Sequence, residues 1–211
     1  MENLKSLNNN LSIIGITGGS GSGKTYLCNK INELFNKKIL IIQIDSYYKD
    51  LSHIKFSERE KNNFDHPSSF EFELLYRQLL DLNNKKAIKI PIYNYKKHLR
   101  RKDYTLINKE YPLILVEGIL SLYNTKIRNM MCCSVFIDTY NHLRKERRIS
   151  RDLNSRERTL DSILNQYEST VEPMYKEFIE PTKEYSDIII KECNNNDQGY
   201  KLLLEKIKSI I

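Results

Sequence analysis

Five of the chain's seven glycines fall between Gly15 and Gly23, and no other feature restricts the fold as strongly. A 211-residue chain that uses glycine so rarely and then clusters it needs unusual backbone geometry at one place. Gly18-Gly19-Ser20-Gly21-Ser22-Gly23-Lys24-Thr25 satisfies G-x-x-x-x-G-K-[ST]. Ahead of it, Ser12–Ile16 reads as a short apolar strand. Behind it, Lys24–Phe35 places Leu27, Ile31, Leu34 and Phe35 on one helical face. In that context the glycines let backbone N–H groups curl around a polyphosphate, and the helix N-terminus adds a favourable dipole. Lys24 then neutralises the β and γ phosphates, and Thr25 offers its hydroxyl to Mg²⁺. The alternative is a glycine-rich turn that matches by chance.

The rest of the chain alternates strand and helix. Ile39–Ile44, Leu113–Val116, Val135–Ile137 and Ile188–Ile190 are continuous apolar runs, the kind that suit strands covered on both faces. Helical patterns cover Leu143–Arg151, Thr159–Phe178 and Gln198–Ile211, with Pro173 expected to kink or end the second of them. Ser68-x-x-Glu71 has the form of a capping box opening a helix to about Leu82. Strand–helix alternation implies an α/β phosphate-loop fold, with a parallel central sheet flanked by helices. The reading is one domain over 1–211, with its core in 10–84 and 111–211. Segment 85–104 breaks the alternation and reads as a β-hairpin outside the main sheet. Segment 144–158 reads as an arginine-rich helical lid.

A phosphate loop serves switches, motors, helicases and small-molecule kinases alike, so other residues must decide. No Asn-Lys-x-Asp guanine-reading element occurs, nor the His-Arg-Asp and Asp-Phe-Gly pair of protein kinases. The chain is short for a helicase. Asp45 and Glu117 each end an apolar strand, where open α/β sheets bind ligands. A carboxylate there can serve Mg²⁺ or accept a proton from an attacking hydroxyl. For Asp45 a helix cap is the alternative, and Asp138 reads as a cap for the helix near His142.

The net charge of +7 is concentrated in two segments. Tyr95–Lys102 holds five basic residues and no acid, and Arg144–Arg158 holds seven basic residues against three acids. Six of those seven are arginine, the residue suited to forked contacts with phosphate. The four cysteines form no Cys-x-x-Cys pattern and read as reduced thiols of a cytoplasmic protein. No apolar stretch reaches membrane-spanning length.

The motifs together resemble the uridine (uridine-cytidine) kinases, most closely the bacterial type. They are Gly18–Thr25, Asp45-Ser46-Tyr47-Tyr48, Asn63-Phe64-Asp65-His66-Pro67, and Pro91-Ile92-Tyr93 with His98 and Arg100. Glu117-Gly118-Ile119-Leu120, Arg147-Arg148-x-x-Arg151-Asp152, Arg156-x-Arg158, Gln166-Tyr167, Glu180–Lys183 and Tyr185-x-Asp187-Ile188-Ile189 follow. The resemblance runs from about Ile13 to Ile190. It implies transfer of the γ-phosphoryl group of ATP or GTP to the 5′-hydroxyl of uridine or cytidine, with Mg²⁺, in pyrimidine salvage. On that resemblance Asp45 is the general base, and Asp65 binds the ribose hydroxyls with Arg148 and Gln166. Tyr93 and His98 read the pyrimidine edge, and Arg158 also contacts the nucleoside. Lys24, Arg151 and Arg156 face the phosphates, and Glu117 belongs with Thr25 to the magnesium site.

His66 reads as a structural turn residue, and Tyr95 either packs the hairpin or walls the base. Asn94 stands where many relatives carry Asp, and Glu157 replaces the usual glycine between two lid arginines. Relatives suggest a homo-oligomer, a homotetramer in particular, and neither nucleic acid nor membrane as partner. Two rivals stay open: a related kinase acting on another small alcohol, and a nucleic-acid-binding ATPase drawn by its basic surface.

Overall fold

The computed structural model describes residues 11–155, 158–191, 193–194 and 196–211. In chain order it contains β1 (Ser12–Gly18), α1 (Lys24–Leu34), β2 (Ile39–Gln43), α2 (Phe56–Arg59) and α3 (Phe72–Asn83). Then come β3 (Ile88–Asn94), β4 (Leu99–Ile107), β5 (Leu113–Glu117), α4 (Thr125–Arg128), β6 (Cys133–Ile137) and α5 (Asn141–Ser155). The last part holds α6 (Leu160–Gln166), α7 (Glu172–Met174), β7 (Ile188–Ile190) and α8 (Gln198–Lys208).

Five strands form one sheet in the order β2-β5-β1-β6-β7, and every pairing in it is parallel. The apolar runs explain this. Side chains alternate faces along a strand, and here both faces are apolar. Ile13, Ile42, Ile114, Val116 and Phe136 look to one side, where Leu75 and Leu79 of α3 and Ile88 and Ile90 of β3 pack. Ile14, Ile16, Leu113, Leu115 and Val135 look to the other, against Leu27 and Ile31 of α1 and Leu203 and Ile207 of α8. The expected α/β architecture, with a separate two-stranded antiparallel β3–β4 sheet, is what the chain adopts. The hairpin extends to Ile107, beyond the expected end near residue 104. A register shift between Pro91 and Tyr93 fits the missing N–H of proline, which cannot complete a ladder.

Two local expectations fail, at Ser68–Glu71 and at Asp138, and of the two outcomes expected at Pro173 the helix end is not found. The capping box at Ser68–Glu71 does not form, and α3 starts at Phe72 with no side-chain cap on Glu71. Phe70 bridges in extended form to Tyr48, and Glu71 is paired with Arg100 at 2.8 Å. Ser68 instead donates its N–H to His66, so His66 is the turn residue expected of it. Pro173 does not end its helix. The chain stays helical from Leu160 to Ile179, with wider π-helical turns at Tyr167–Val171 and Tyr175–Ile179 on either side of α7. Such turns change the hydrogen-bond spacing, which accommodates a residue that has no N–H. Asp138 is not a cap either, because its carboxylate takes an ion pair from Lys183.

Candidate active site

The phosphate loop leaves β1 at the centre of the sheet, and Asp45 and Glu117 leave the same ends of β2 and β5. Chain direction alone therefore brings the three together, at the carboxyl ends where open α/β sheets bind ligands. Gly21 and Gly23 have φ of 81° and 96°, in the left-handed region that suits glycine. A Cβ at Gly21 would also strike the backbone carbonyl of Arg144 on α5, and one at Gly19 would strike the Arg144 guanidinium. The loop is thus moulded against α5. Ser22 N–H donates to the Gly19 carbonyl at 3.0 Å, and the Thr139 hydroxyl donates to the Ser22 carbonyl at 3.0 Å. Gly21→Ala combines left-handed strain with a backbone collision and is expected to lower Tm by roughly 5–15 °C in calorimetry. An unchanged Tm would show that the loop has room to move away from α5.

Lys24 is buried, and its ammonium donates to the carbonyls of Gly18 and Gly19 at 2.9 Å each. Burial lowers its pKa, while Glu117 and Asp45 oppose that. Glu117 is also buried. Burial raises its pKa, Lys24 pulls it down, and Asp45 pushes it up again. Its Oε1 accepts from the Thr25 hydroxyl at 2.9 Å and from Gln43 at 3.0 Å. A hydroxyl and a carboxylate joined at that distance, with Asp45 near enough to bias Glu117, make a hard oxygen donor set that fits Mg²⁺. Among the described residues no group of three or more His, Cys, Asp or Glu is gathered for a metal.

Beside the loop lies a cavity of about 630 Å³. Its lining includes Ser20, Asp45, Asp65, Tyr93, His98, Arg148, Arg151, Arg158 and Gln166. The structure therefore brings to one cavity residues spread over about two thirds of the chain. Arg156 lies outside the described residues, as does Glu157. The hairpin supplies Tyr93 and His98, and Arg100 anchors it by donating to Glu71 and to the Tyr48 carbonyl. His98 has φ 48°, a left-handed conformation at the hairpin turn, and its ring stacks on Phe64 with centroids 5.0 Å apart. Tyr48 packs against both Phe64 and Tyr93. Burial raises the pKa of Tyr48 and Tyr93, so both stay neutral phenols. Tyr95 does more than pack the hairpin, since it lines the cavity and its hydroxyl reaches Asp45 Oδ2 at 3.4 Å.

The arginines come from α5 and the segment after it. Arg148 donates to the Ser20 hydroxyl at 2.8 Å and to Gln166 Oε1 at 3.0 Å. Arg158 shares that same Gln166 oxygen and also donates to Ser162. Arg144 is only 2% exposed, stacks over Tyr175 and pairs with Glu172. It supports the loop rather than facing the cavity. Sequence reasoning missed the wall residue Phe56, and it assigned no role to Tyr48, Phe64 or Asp152 although it placed them in motifs. Aromatic residues are common in cores, so nothing in their spacing sets these apart.

Comparison with known proteins agrees with this geometry. The family model described as "Phosphoribulokinase / Uridine kinase family" matches residues 13–198. A uridine kinase of Lactococcus lactis subsp. cremoris (strain MG1363) is 47% identical over 200 residues, covering 94% of this chain and 97% of the relative. One from Clostridium novyi (strain NT) is 45% identical, covering 94% and 96%. Among solved structures, phosphoribulokinase from Rhodobacter spheroides aligns with TM-score 0.65 at 15% identity, covering 91% of this chain and 74% of that one. D-glycerate 3-kinase from Cryptococcus neoformans aligns with TM-score 0.62 at 16% identity, covering 84% and 81%. These two share the fold. The family match takes in the phosphate loop, both strand-end carboxylates and the arginine helix at once, and on it the chain belongs to the phosphoribulokinase / uridine kinase family of phosphate-loop kinases.

Proposed function

We propose that this kinase transfers the γ-phosphoryl group of ATP or GTP to the 5′-hydroxyl of uridine or cytidine, giving UMP or CMP for pyrimidine salvage. The observation that carries the reading is the single cavity in which Asp45 and Asp65, an aromatic wall and three arginines meet beside the phosphate loop. The high identity to uridine kinases over nearly the whole chain supports it.

Each residue then has a chemical task. Nucleosides are neutral, so they are recognised by hydrogen bonds and ring contacts. The two oxygens of Asp65 suit the vicinal ribose hydroxyls, with Arg148 and Gln166 alongside. Tyr93 and His98 read the base edge, with Phe64 behind the imidazole, and Arg158 contacts the nucleoside. The loop N–H groups and Lys24 hold the nucleotide phosphates. Thr25 and Glu117 would hold Mg²⁺, which when bound neutralises charge on the phosphate oxygens. Asp45 takes the proton of the 5′-hydroxyl as its oxygen bonds to the γ-phosphorus and the bond to the leaving nucleoside diphosphate breaks. Arg151 faces the phosphates as charge moves toward the leaving oxygen, and the same task is proposed for Arg156, which lies outside the described residues. Closure of the arginine segment excludes water, which would otherwise compete as acceptor.

The deciding experiment is phosphate transfer from Mg²⁺-ATP to uridine, with cytidine, adenosine and a panel of small alcohols alongside. Turnover of the pyrimidine nucleosides is expected. Preference for another alcohol would replace the reading with the rival kinase. His98→Ala is expected to raise KM for the nucleoside by about tenfold, the scale of one lost hydrogen bond at a buried site. If only ATP affinity changed, His98 would not be reading the base.

A further inference from the structure

Asp152 has no task in the scheme above, yet arginines surround it. It sits on α5 with no exposed surface. Among the described residues three guanidiniums reach it: Arg151 Nε at 2.8 Å, Arg158 Nη1 at 3.6 Å and Arg148 Nε at 3.7 Å. Helical spacing accounts for Arg148, one turn earlier. It does not account for Arg158, which lies beyond the end of α5. The N–H of Arg158 approaches the carbonyl of Asp152 at 3.5 Å, so the backbone of Arg158 itself lies against this residue.

A buried carboxylate is stable only when paired. One carboxylate against three guanidiniums cannot cancel their charge, so a positive excess remains beside the cavity. Without it, three like charges gathered at one point, with Arg148 buried and the others only partly exposed, repel and splay apart. Gln166 joins Arg148 to Arg158 but is neutral and cannot offset that repulsion.

We propose that Asp152 is a positioning residue, a buried counter-ion that gathers Arg148, Arg151 and Arg158 into one fan over the cavity while leaving net positive charge for the polyphosphate. It touches no substrate and acts through the arginines. The inference rests on the proposed function, which places those arginines against phosphate and nucleoside.

Asp152→Asn keeps the shape and removes the charge. The variant is expected to lower kcat by about 10²-fold, the scale of a misplaced reacting geometry, with KM for ATP little changed. Arg151→Ala should cost far less in the Asn background than in the wild type, because the arginine is already out of place. A carboxylate that only supports the fold would lower Tm and the fraction of active enzyme, leave kcat per active site unchanged, and give effects that multiply. That result would overturn the proposal. The wild-type protein offers a second measurement that needs neither a variant nor an acceptor. The Arg151 Nε–H resonance should exchange slowly with water if its bond to Asp152 persists, and rapid exchange overturns the proposal even where Asp152→Asn does not fold. Turnover of uridine by the wild type is the separate control on the functional reading.

Discussion

Asp45→Asn is expected to keep nucleotide binding and to lose roughly 10²–10⁴ in kcat, the usual contribution of a positioned base. The substitution is close to isosteric, so Tyr95 can still donate to the remaining side-chain oxygen. What disappears is the ability to accept a proton from the 5′-hydroxyl. The neighbouring charges predict that binding survives. Asp45 is one of the groups that raise the pKa of Glu117. Removing its charge favours the ionised form of Glu117, which is the form a magnesium site needs. Steady-state kinetics with uridine and ATP, beside calorimetric titration of Mg²⁺-ATP, separate the two effects. Turnover near the wild-type value would sink the assignment of Asp45 as base.

Lys24→Met should be more damaging still, because it strikes two functions at once. Methionine fills the space of the buried stem and forfeits the ammonium's bonds to the Gly18 and Gly19 carbonyls. The phosphates lose their fixed positive partner, an effect on the order of 10²–10³ for one preorganised donor. Glu117 also loses the interaction that most opposes its burial, so its pKa rises further and the proton competes with the metal. The expected outcome is a fall in kcat/KM for ATP on the order of 10³ or more, together with a smaller gain in ATP affinity on adding Mg²⁺. If Mg²⁺ strengthened ATP binding equally in both proteins, the coupling of Lys24 to Glu117 would be wrong.

The parts of this molecule legible in the sequence are those fixed by short-range rules. The five apolar runs became the five parallel strands because burial on both faces demands unbroken apolar residues in the inner strands, while Ile189 of the edge strand β7 stays exposed. The phosphate loop was readable because its glycines, lysine and threonine all act within one turn of backbone. Short patterns also misled. Ser68 and Glu71 have the spacing of a capping box, but His66 engages one and Arg100 the other. Both partners satisfy the same polar groups a cap would use, and Arg100 arrives from a different sheet. Pro173 does not end its helix, because the π-helical turns on either side let the chain continue. Asp152 is visible as a letter in the arginine motif, but only the folded chain shows that one buried carboxylate serves three cations among the described residues.

The glycine cluster, the strand-end carboxylates and the concentration of arginine were set out in the sequence alone, and they sufficed for a phosphate-binding α/β protein. Sequence-level rules act over a few residues, through dihedral preference and the periodicity of one face. The strand order β2-β5-β1-β6-β7 and the meeting of Asp65, His98, Arg148 and Gln166 at one cavity needed the folded chain. They depend on contacts such as Arg148 with Ser20, 128 residues apart. Such a contact exists because β1 pairs with β6, which sets the loop after one beside the helix after the other. Local preference proposes the elements; the burial of both faces of one sheet decides which side chains meet.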